Sequence, residues 1–282
     1  MSRSATLVIA RLTFREARRR RILVAALALG AVFLIIYGLG IHFIKQDMTR
    51  QGQVVQRVVT VPIFNFLTLS GLYIVNFLTL SMTVLTSVDT ISGEIDSGTV
   101  HVLAAKPIRR CEILIGKWLG FAAMLTLYLL LMAGGVIVLT NLILDYAVPN
   151  PLRGFALLWV NQLLVLNVTL LGGTRLSTLA NGVVVFAAYG VAFIGGWIEQ
   201  IGAFLGNQTT VVIGILSSLI IPSEALWRRA SYEMQSALAD AMSPTPFTAV
   251  TSVPSQAMVI YAVLYAAGAL ALAVHSFNRR DL

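Results

Sequence analysis

The sequence predicts an all-α polytopic membrane protein with six transmembrane helices, and three observations carry that class. Of its 282 residues, 57% are hydrophobic and only 11% charged, against about 25% charged in a soluble globular domain, which must still show a charged surface to water. The apolar residues come in blocks that reach the roughly 20 residues a helix needs to cross a bilayer core about 30 Å thick. The basic residues stand at the ends of those blocks, where head groups and topology signals require them. The net charge of +8 therefore speaks for membrane lipid as a partner. It does not speak for nucleic acid, because the cations are not interleaved with aromatics on a soluble face. The single cysteine, Cys111, leaves no internal disulfide to form.

The elements follow in order. Residues 1–21 are predicted to form an N-terminal interfacial helix. Ala5, Val8, Ile9 and Leu12 repeat at helical spacing, while Arg11, Arg15 and Arg18 keep to a neighbouring stripe that reaches head groups. The "REARRRR" that ends this stretch imitates the start of a signal peptide. However, the apolar run from Ile22 to about Ile44 exceeds the roughly 7–15 residues of a signal core, and no small-residue cleavage site follows it cleanly. It reads as an uncleaved first span, 22–44. The second span, 62–88, is predicted to begin at Pro62, whose missing N–H is harmless in a first helical turn. The remaining spans are 113–143, 155–174, 181–198 and 256–277. Residues 209–221, "TTVVIGILSSLII", are apolar but stop at Pro222, a length that fits an interfacial or re-entrant segment. Joined to 201–208 they would make a seventh span, with Asn207 and Gln208 inside it.

Charge decides between these topologies. Six spans put the N-terminal segment, the 89–117 loop, the 175–180 turn and the C-terminus on one side, with fourteen of the twenty Lys and Arg residues. The other six, Lys45, Arg50, Arg57, Arg153, Arg228 and Arg229, lie opposite. The positive-inside rule then places both termini and the 89–117 loop in the cytoplasm of a cell membrane. A seventh span would export the C-terminal "FNRRDL".

The stretch "SGEIDSGTVHVLAAKPIRR", residues 92–110, is a polar island between two apolar blocks. Ser92 suits the cap of a short helix whose first turn holds Glu94 and Asp96, where the helix dipole favours acid. Gly98 suits its end. Thr99 suits the cap of a second short helix, Val100 to Ala105, which Pro107 stops. Val100 and Leu103 share a face of that helix. The result is an acidic, apolar and basic hairpin under the membrane, shaped to dock on a partner.

The run "GEIDSGTVHVLAAKPIRRCEILIGK" resembles the signature of ABC-2 type ABC transporter permeases, of the form E-x-x-x-G-T, then P-I-x-R, then G-K. The matching residues are Glu94, Gly98, Thr99, Pro107, Ile108, Arg110, Gly116 and Lys117. "LLGGTRLSTLANGVVVFAAYGVAFIGGWIEQIG" and "SSLIIPSEALWRRAS" are similar to the branch grouped with multi-copper-enzyme maturation (NosY-like) permeases. The resemblance runs over nearly the whole chain and implies a single transmembrane domain, 1–282, with an N-terminal elbow helix. The 89–117 loop becomes a coupling helix seated in a cleft of an ATP-binding subunit, and two permease copies form one transporter. Glu94, Thr99 and Arg110 are then the docking anchors, with Val100 and Leu103 as the apolar contact, and Gly98, Pro107 and Lys117 complete the docking element. Export, and any link to copper-enzyme maturation, are implications of the same resemblance. This chain carries no G-x-x-x-x-G-K-[ST]: Cys111 stands where the first glycine belongs, and Trp118 follows Gly116-Lys117. ATP and its Mg²⁺ are expected on a separate chain, and no cofactor on this one.

Polar residues inside spans face the bundle interior or a cavity. Asn65, Asn76, Thr79 and Thr83 in the second span, with Asn161 and Asn167 in the fourth, are candidates for a translocation path. Equally, such residues bond helix to helix at about 0.6 kcal/mol each. Residues 199–255 are expected outside, with "PSEALWRRASYEM" resting at the outer interface through Trp227 and Tyr232. There they either gate an exit or cap the bundle. Rival classes are weaker. His42, His101 and His275 are too scattered for a zinc protease, and "DSGT" at 96–99 has no evident base. Asp89, Glu94 and Asp96 offer carboxylates for Mg²⁺ and lipid phosphoryl transfer, but cap acids explain them as well. No inverted repeat marks a secondary transporter. A membrane scaffold has no counter-signal, and the substrate is not written in the chain.

Overall fold

The computed structural model describes residues 2–19, 21–50, 57–93, 109–242 and 250–279. Its secondary structure is all helical, with no strand among the described residues. In chain order the helices are α1 (Ser2–Arg19), α2 (Arg21–Arg50), α3 (Arg57–Ser87), α4 (Arg110–Leu144), α5 (Pro151–Gly173), α6 (Thr178–Phe204), α7 (Gln208–Ile220), α8 (Ser223–Met234), α9 (Ala237–Met242) and α10 (Gln256–Arg279). Six of them, α2 to α6 and α10, are long and apolar enough to cross a membrane. Their outward surfaces are rich in exposed Leu, Ile, Val and Phe, as expected where hydrocarbon replaces water as the solvent.

Three boundaries differ from the sequence expectation, the first being α2, which runs past Ile44 to Arg50. Pro62 lies inside α3 and not at its first turn. The fifth span runs on to Phe204, so residues 199–204 belong to a membrane-length helix and not to an outer segment.

The bundle is organised around α4. Its 35 residues give a rod about 50 Å long, longer than the hydrocarbon core. Its apolar side holds Leu125, Leu129, Met132 and Val136, all fully buried. The surplus length near its N-terminus forms a platform for α1. Gly116 and Gly120, four residues apart, leave a groove that admits the α1 backbone. A methyl group at Gly116 would stand 2.8 Å from Ile9 Cβ and 2.9 Å from the Thr6 carbonyl. One at Gly120 would stand 2.7 Å from the Ala10 carbonyl and 2.8 Å from Thr13 Cβ. Small residues at this spacing allow backbones to approach closely where dispersion, not hydrophobic expulsion, drives helix association.

Periodicity selects only part of the face of α1 that packs. Ile9 of the predicted stripe meets Gly116, with Thr13 and Ala17 buried beside it, whereas Val8 and Leu12 of the same stripe are 57% and 58% exposed. The packed face is turned from the predicted one because the groove at Gly116 and Gly120 takes the side through Ile9 and Thr13.

The other departure is the pair α7 and α8. α7 folds back against α6, with Gly202 opposite Thr210, Gly195 opposite Ser217 and Gly214 opposite Glu199. These pairings run in opposite directions along the two helices. After Ile220 the chain bends by 111° into α8. The segment 209–221 is therefore one arm of a sharply bent pair. α8 does not rest on the surface: Ser223 to Arg228, Ala230, Ser231 and Met234 are all buried.

Candidate functional site

Three regions bear on function: the foot of the 94–108 segment, a polar ladder in the bundle, and the contact of α8 with α6. Residues Glu94, Asp96, Gly98, Thr99, Val100, Leu103 and Pro107 lie outside the described residues, so the structure speaks only for the two arms that carry them.

Those arms are tied together. α3 ends at Ser87 and passes through a turn to Gly93. Lys117, in the second turn of α4 and only 7% exposed, donates from Nζ to the Thr90 carbonyl at 3.1 Å. A buried ammonium is tolerated where carbonyl dipoles replace its water. Ser92 is also buried. Its Oγ donates to the Val88 carbonyl at 3.1 Å and lies 2.8 Å from Thr178 Oγ1, at the start of α6. Asn181 Nδ2 reaches the Val88 carbonyl at 3.5 Å and the Thr169 carbonyl at 2.9 Å. At the α4 arm the Arg109 backbone N–H donates to Glu112 Oε2 at 3.3 Å, and Arg110 opens the helix. The foot thus joins α3, α4, the α5–α6 turn and, through Gly116 and Gly120, α1.

The predicted path residues are all interior, and the structure shows what they touch. Asn161 Nδ2 donates to Asn76 Oδ1 at 3.0 Å. Trp118 Nε1 donates to Asn167 Oδ1 at 2.6 Å, and Asn167 Nδ2 donates to the Ala266 carbonyl at 2.9 Å. Asn65 Oδ1 accepts from Tyr146 Oη at 3.1 Å and from the Ser236 N–H at 2.9 Å. Thr79 and Thr83 turn their hydroxyls back to the carbonyls of Asn76 and Thr79. Within one copy these side chains join α3, α4, α5 and α10 to one another. Asn65 Nδ2, Asn76 Nδ2, Asn161 Oδ1 and Gln162 Oε1 keep buried polar atoms without a protein partner, so the ladder retains hydrogen-bonding capacity.

The third region was not foreseen. Glu199 on α6 and Arg228 on α8 are 3% and 1% exposed and form an ion pair of 2.7 Å. Ser252 Oγ donates to Glu199 Oε1 at 2.6 Å, and Arg228 Nη1 donates to the Ser252 carbonyl at 3.3 Å. Thr251 is held by Gln200 through its N–H at 3.1 Å and its hydroxyl at 2.8 Å. Glu224, also buried, packs on Gly196, and its Oε2 has no protein partner. The guanidinium is thus paired with Glu199 and not with Glu224, and burying charge is tolerable only where it is paired in this way.

Trp227, expected at the outer interface, is buried instead, its ring 5.2 Å from that of Tyr73. Tyr232 does reach the surface, with Arg229 5.4 Å above its ring. Glu233 then binds Arg229 at 2.7 Å and Arg153 at 3.6 Å, fastening the far end of α8 to the start of α5. The signal available beforehand was an acid just past a predicted span and an arginine within a helix that also carries Ala225, Leu226 and Ala230. Intramembrane charges of that kind come with partners.

No group of three or more His, Cys, Asp and Glu side chains able to hold a metal occurs among the described residues. Asp89 is half-buried and engaged.

A family model described as ABC-2 family transporter protein matches residues 7–282. The chain belongs to the ABC-2 transporter family. No curated protein matches the sequence. Family membership makes it a multi-pass transport subunit of the permease type. In this ABC-2 protein Gly116 seats α1, and Lys117 closes the foot of the hairpin.

Proposed function

We propose that this ABC-2 permease subunit is driven by a separate ATP-binding subunit and that the 89–117 hairpin is where the drive enters. Glu94, Thr99 and Arg110 anchor the hairpin in a cleft of that partner, Val100 and Leu103 fill it, and Gly98 and Pro107 shape the turn. ATP and Mg²⁺ are bound by the partner. Both termini and the hairpin lie in the cytoplasm, as the distribution of basic residues requires. Two copies form the transporter, which exports.

The observation that carries this reading is the construction of the hairpin's foot. Force applied to a loop is lost if the loop hangs from flexible ends. Here both arms are continuous with helices, and Lys117, Ser92 and Asn181 bridge them to each other and to α6. A displacement of the hairpin therefore moves α3, α4 and the α5–α6 turn together. The ladder of Asn65, Asn76, Thr79, Thr83, Asn161 and Asn167 is where the bundle opens toward a substrate path. Its bonds are each worth only about 0.6 kcal/mol, so few of them oppose a reversible parting of the helices.

The test is co-purification of the tagged chain from its native cells. A soluble P-loop ATPase should accompany the wild type and be lost from a folded Glu94→Arg/Leu103→Asp variant. Retention of the ATPase by that variant, or its absence from wild type under gentle solubilisation, refutes the docking assignment.

A further inference from the structure

A second polar feature adjoins the hairpin foot on the far side of the α5–α6 turn. Thr174 and Arg175, just after α5, meet His275, Ser276 and Arg279 of α10 around a cavity of about 440 Å³. Three basic side chains converge there, and no acidic one lines it among the described residues. The arrangement is held from within. Thr174 Oγ1 donates to Ser276 Oγ at 3.0 Å, and Arg175 Nε donates to the same oxygen at 3.3 Å. Arg175 spends its inner nitrogen on Ser276, which fixes the plane of the guanidinium and leaves both outer nitrogens for a ligand. A fork presented this way matches the oxygens of a phosphate.

Leu272, one turn before Ser276 along α10, is 58% exposed. A cationic cup at the end of a membrane-length helix whose preceding turn shows an exposed leucine has the polarity profile of an anionic phospholipid seen from its head group down. Positive flanking residues scattered for topology would not need a cavity, or a shared serine to aim them.

We propose that Arg175, His275 and Arg279, with Thr174 and Ser276, form a binding site for the phosphate of an anionic lipid. It rests on the topology proposed above, which sets this cavity at the cytoplasmic leaflet, where anionic lipid is concentrated.

The purified full chain is placed in nanodiscs of phosphatidylcholine containing phosphatidylglycerol, and lipid retention is read by native mass spectrometry. The wild type should hold phosphatidylglycerol over phosphatidylcholine. Arg175→Gln/Arg279→Gln should lose that preference by roughly thirtyfold, the effect of removing two cations beside an anionic leaflet. Arg175→Lys/Arg279→Lys should keep only part of it, since lysine restores the charge without the fork. Displacement by millimolar inorganic phosphate would support the phosphate site but assign it to a soluble source. Equal lipid retention by wild type and the Gln variant overturns the proposal, and so does loss of an ATPase partner with lipid retention unchanged. Topology is read separately, by impermeant maleimide on Arg279→Cys in a Cys111→Ser background. A failure of orientation is thereby distinguished from a failure of the site.

Discussion

Replacing a glycine by alanine within α4 should have opposite consequences at two sites on one helix. At Gly120 the new methyl would lie 2.7 Å from the Ala10 carbonyl and 2.8 Å from Thr13 Cβ. Both atoms belong to α1, and one is backbone, so the contact is relieved only by moving the whole helix outward by several tenths of an ångström. Overpacking of this kind costs about 1–3 kcal/mol. Alanine regains about 0.5–1 kcal/mol over glycine in a helix interior, so the net loss is about 1–2 kcal/mol, concentrated on α1 docking. At Gly134 the same methyl meets nothing within 4 Å, and only the propensity gain remains. The assay is limited trypsin digestion of the detergent-solubilised chain. Arg11, Arg15 and Arg18 sit on α1, and cleavage there tracks the undocked population. Gly120→Ala should speed their cleavage by roughly 5–30-fold, since about 1.4 kcal/mol is a factor of ten in population. Gly134→Ala should leave it unchanged while raising the melting temperature slightly. Equal cleavage in the two variants would show that α1 is not held by the Gly116–Gly120 groove.

Other outcomes follow from the same contacts. Arg228→Met alone should destabilise the protein by about 3–5 kcal/mol, because it leaves the Glu199 carboxylate buried without its cation. The double change Glu199→Gln/Arg228→Met should recover a good part of that loss in thermal unfolding, and additive losses would refute the pairing. Lys117→Met should uncouple the hairpin foot, with a stability loss of about 1.5–3 kcal/mol from the charged hydrogen bond to Thr90. If the foot transmits force, transport should fall while ATPase association persists, which co-purification and a transport assay read in parallel. Gly214→Leu should separate α7 from α6, since the site abuts Glu199 and the Gly195 carbonyl stands 2.7 Å away. A normal melting temperature and unchanged proteolysis between α6 and α8 would contradict the back-folded placement of α7.

What was legible in advance was whatever depends on short stretches of chain. Each span announces itself by the length of one apolar run, and the ends of α4, α5 and α10 fall within a few residues of the expected ones. The hairpin's arms were legible through Arg110 and Lys117, although the reason for Lys117 was not. Its carbonyl partner lies 27 residues earlier, and nothing in either stretch names the other. The polar residues of the second and fourth spans were correctly placed in the interior, but Asn76 with Asn161 and Trp118 with Asn167 are pairings across helices that spacing cannot specify. For α1, periodicity chose the stripe of Ala5, Val8, Ile9 and Leu12, while the groove on α4 admits the side through Ile9 and Thr13 and leaves Val8 and Leu12 exposed. Shape overrode hydrophobicity there, because a helix at a membrane surface loses little by leaving leucines toward lipid.

The sequence alone determined that this chain carries six runs long and apolar enough to cross a membrane. That is settled locally, by the cost of exposing backbone to hydrocarbon. Only the tertiary structure decided that 209–221 folds back along α6, that Trp227 is buried, and that Glu199 meets Arg228. A buried charge is stable only with its partner, and which partner stands opposite is a property of the packed bundle.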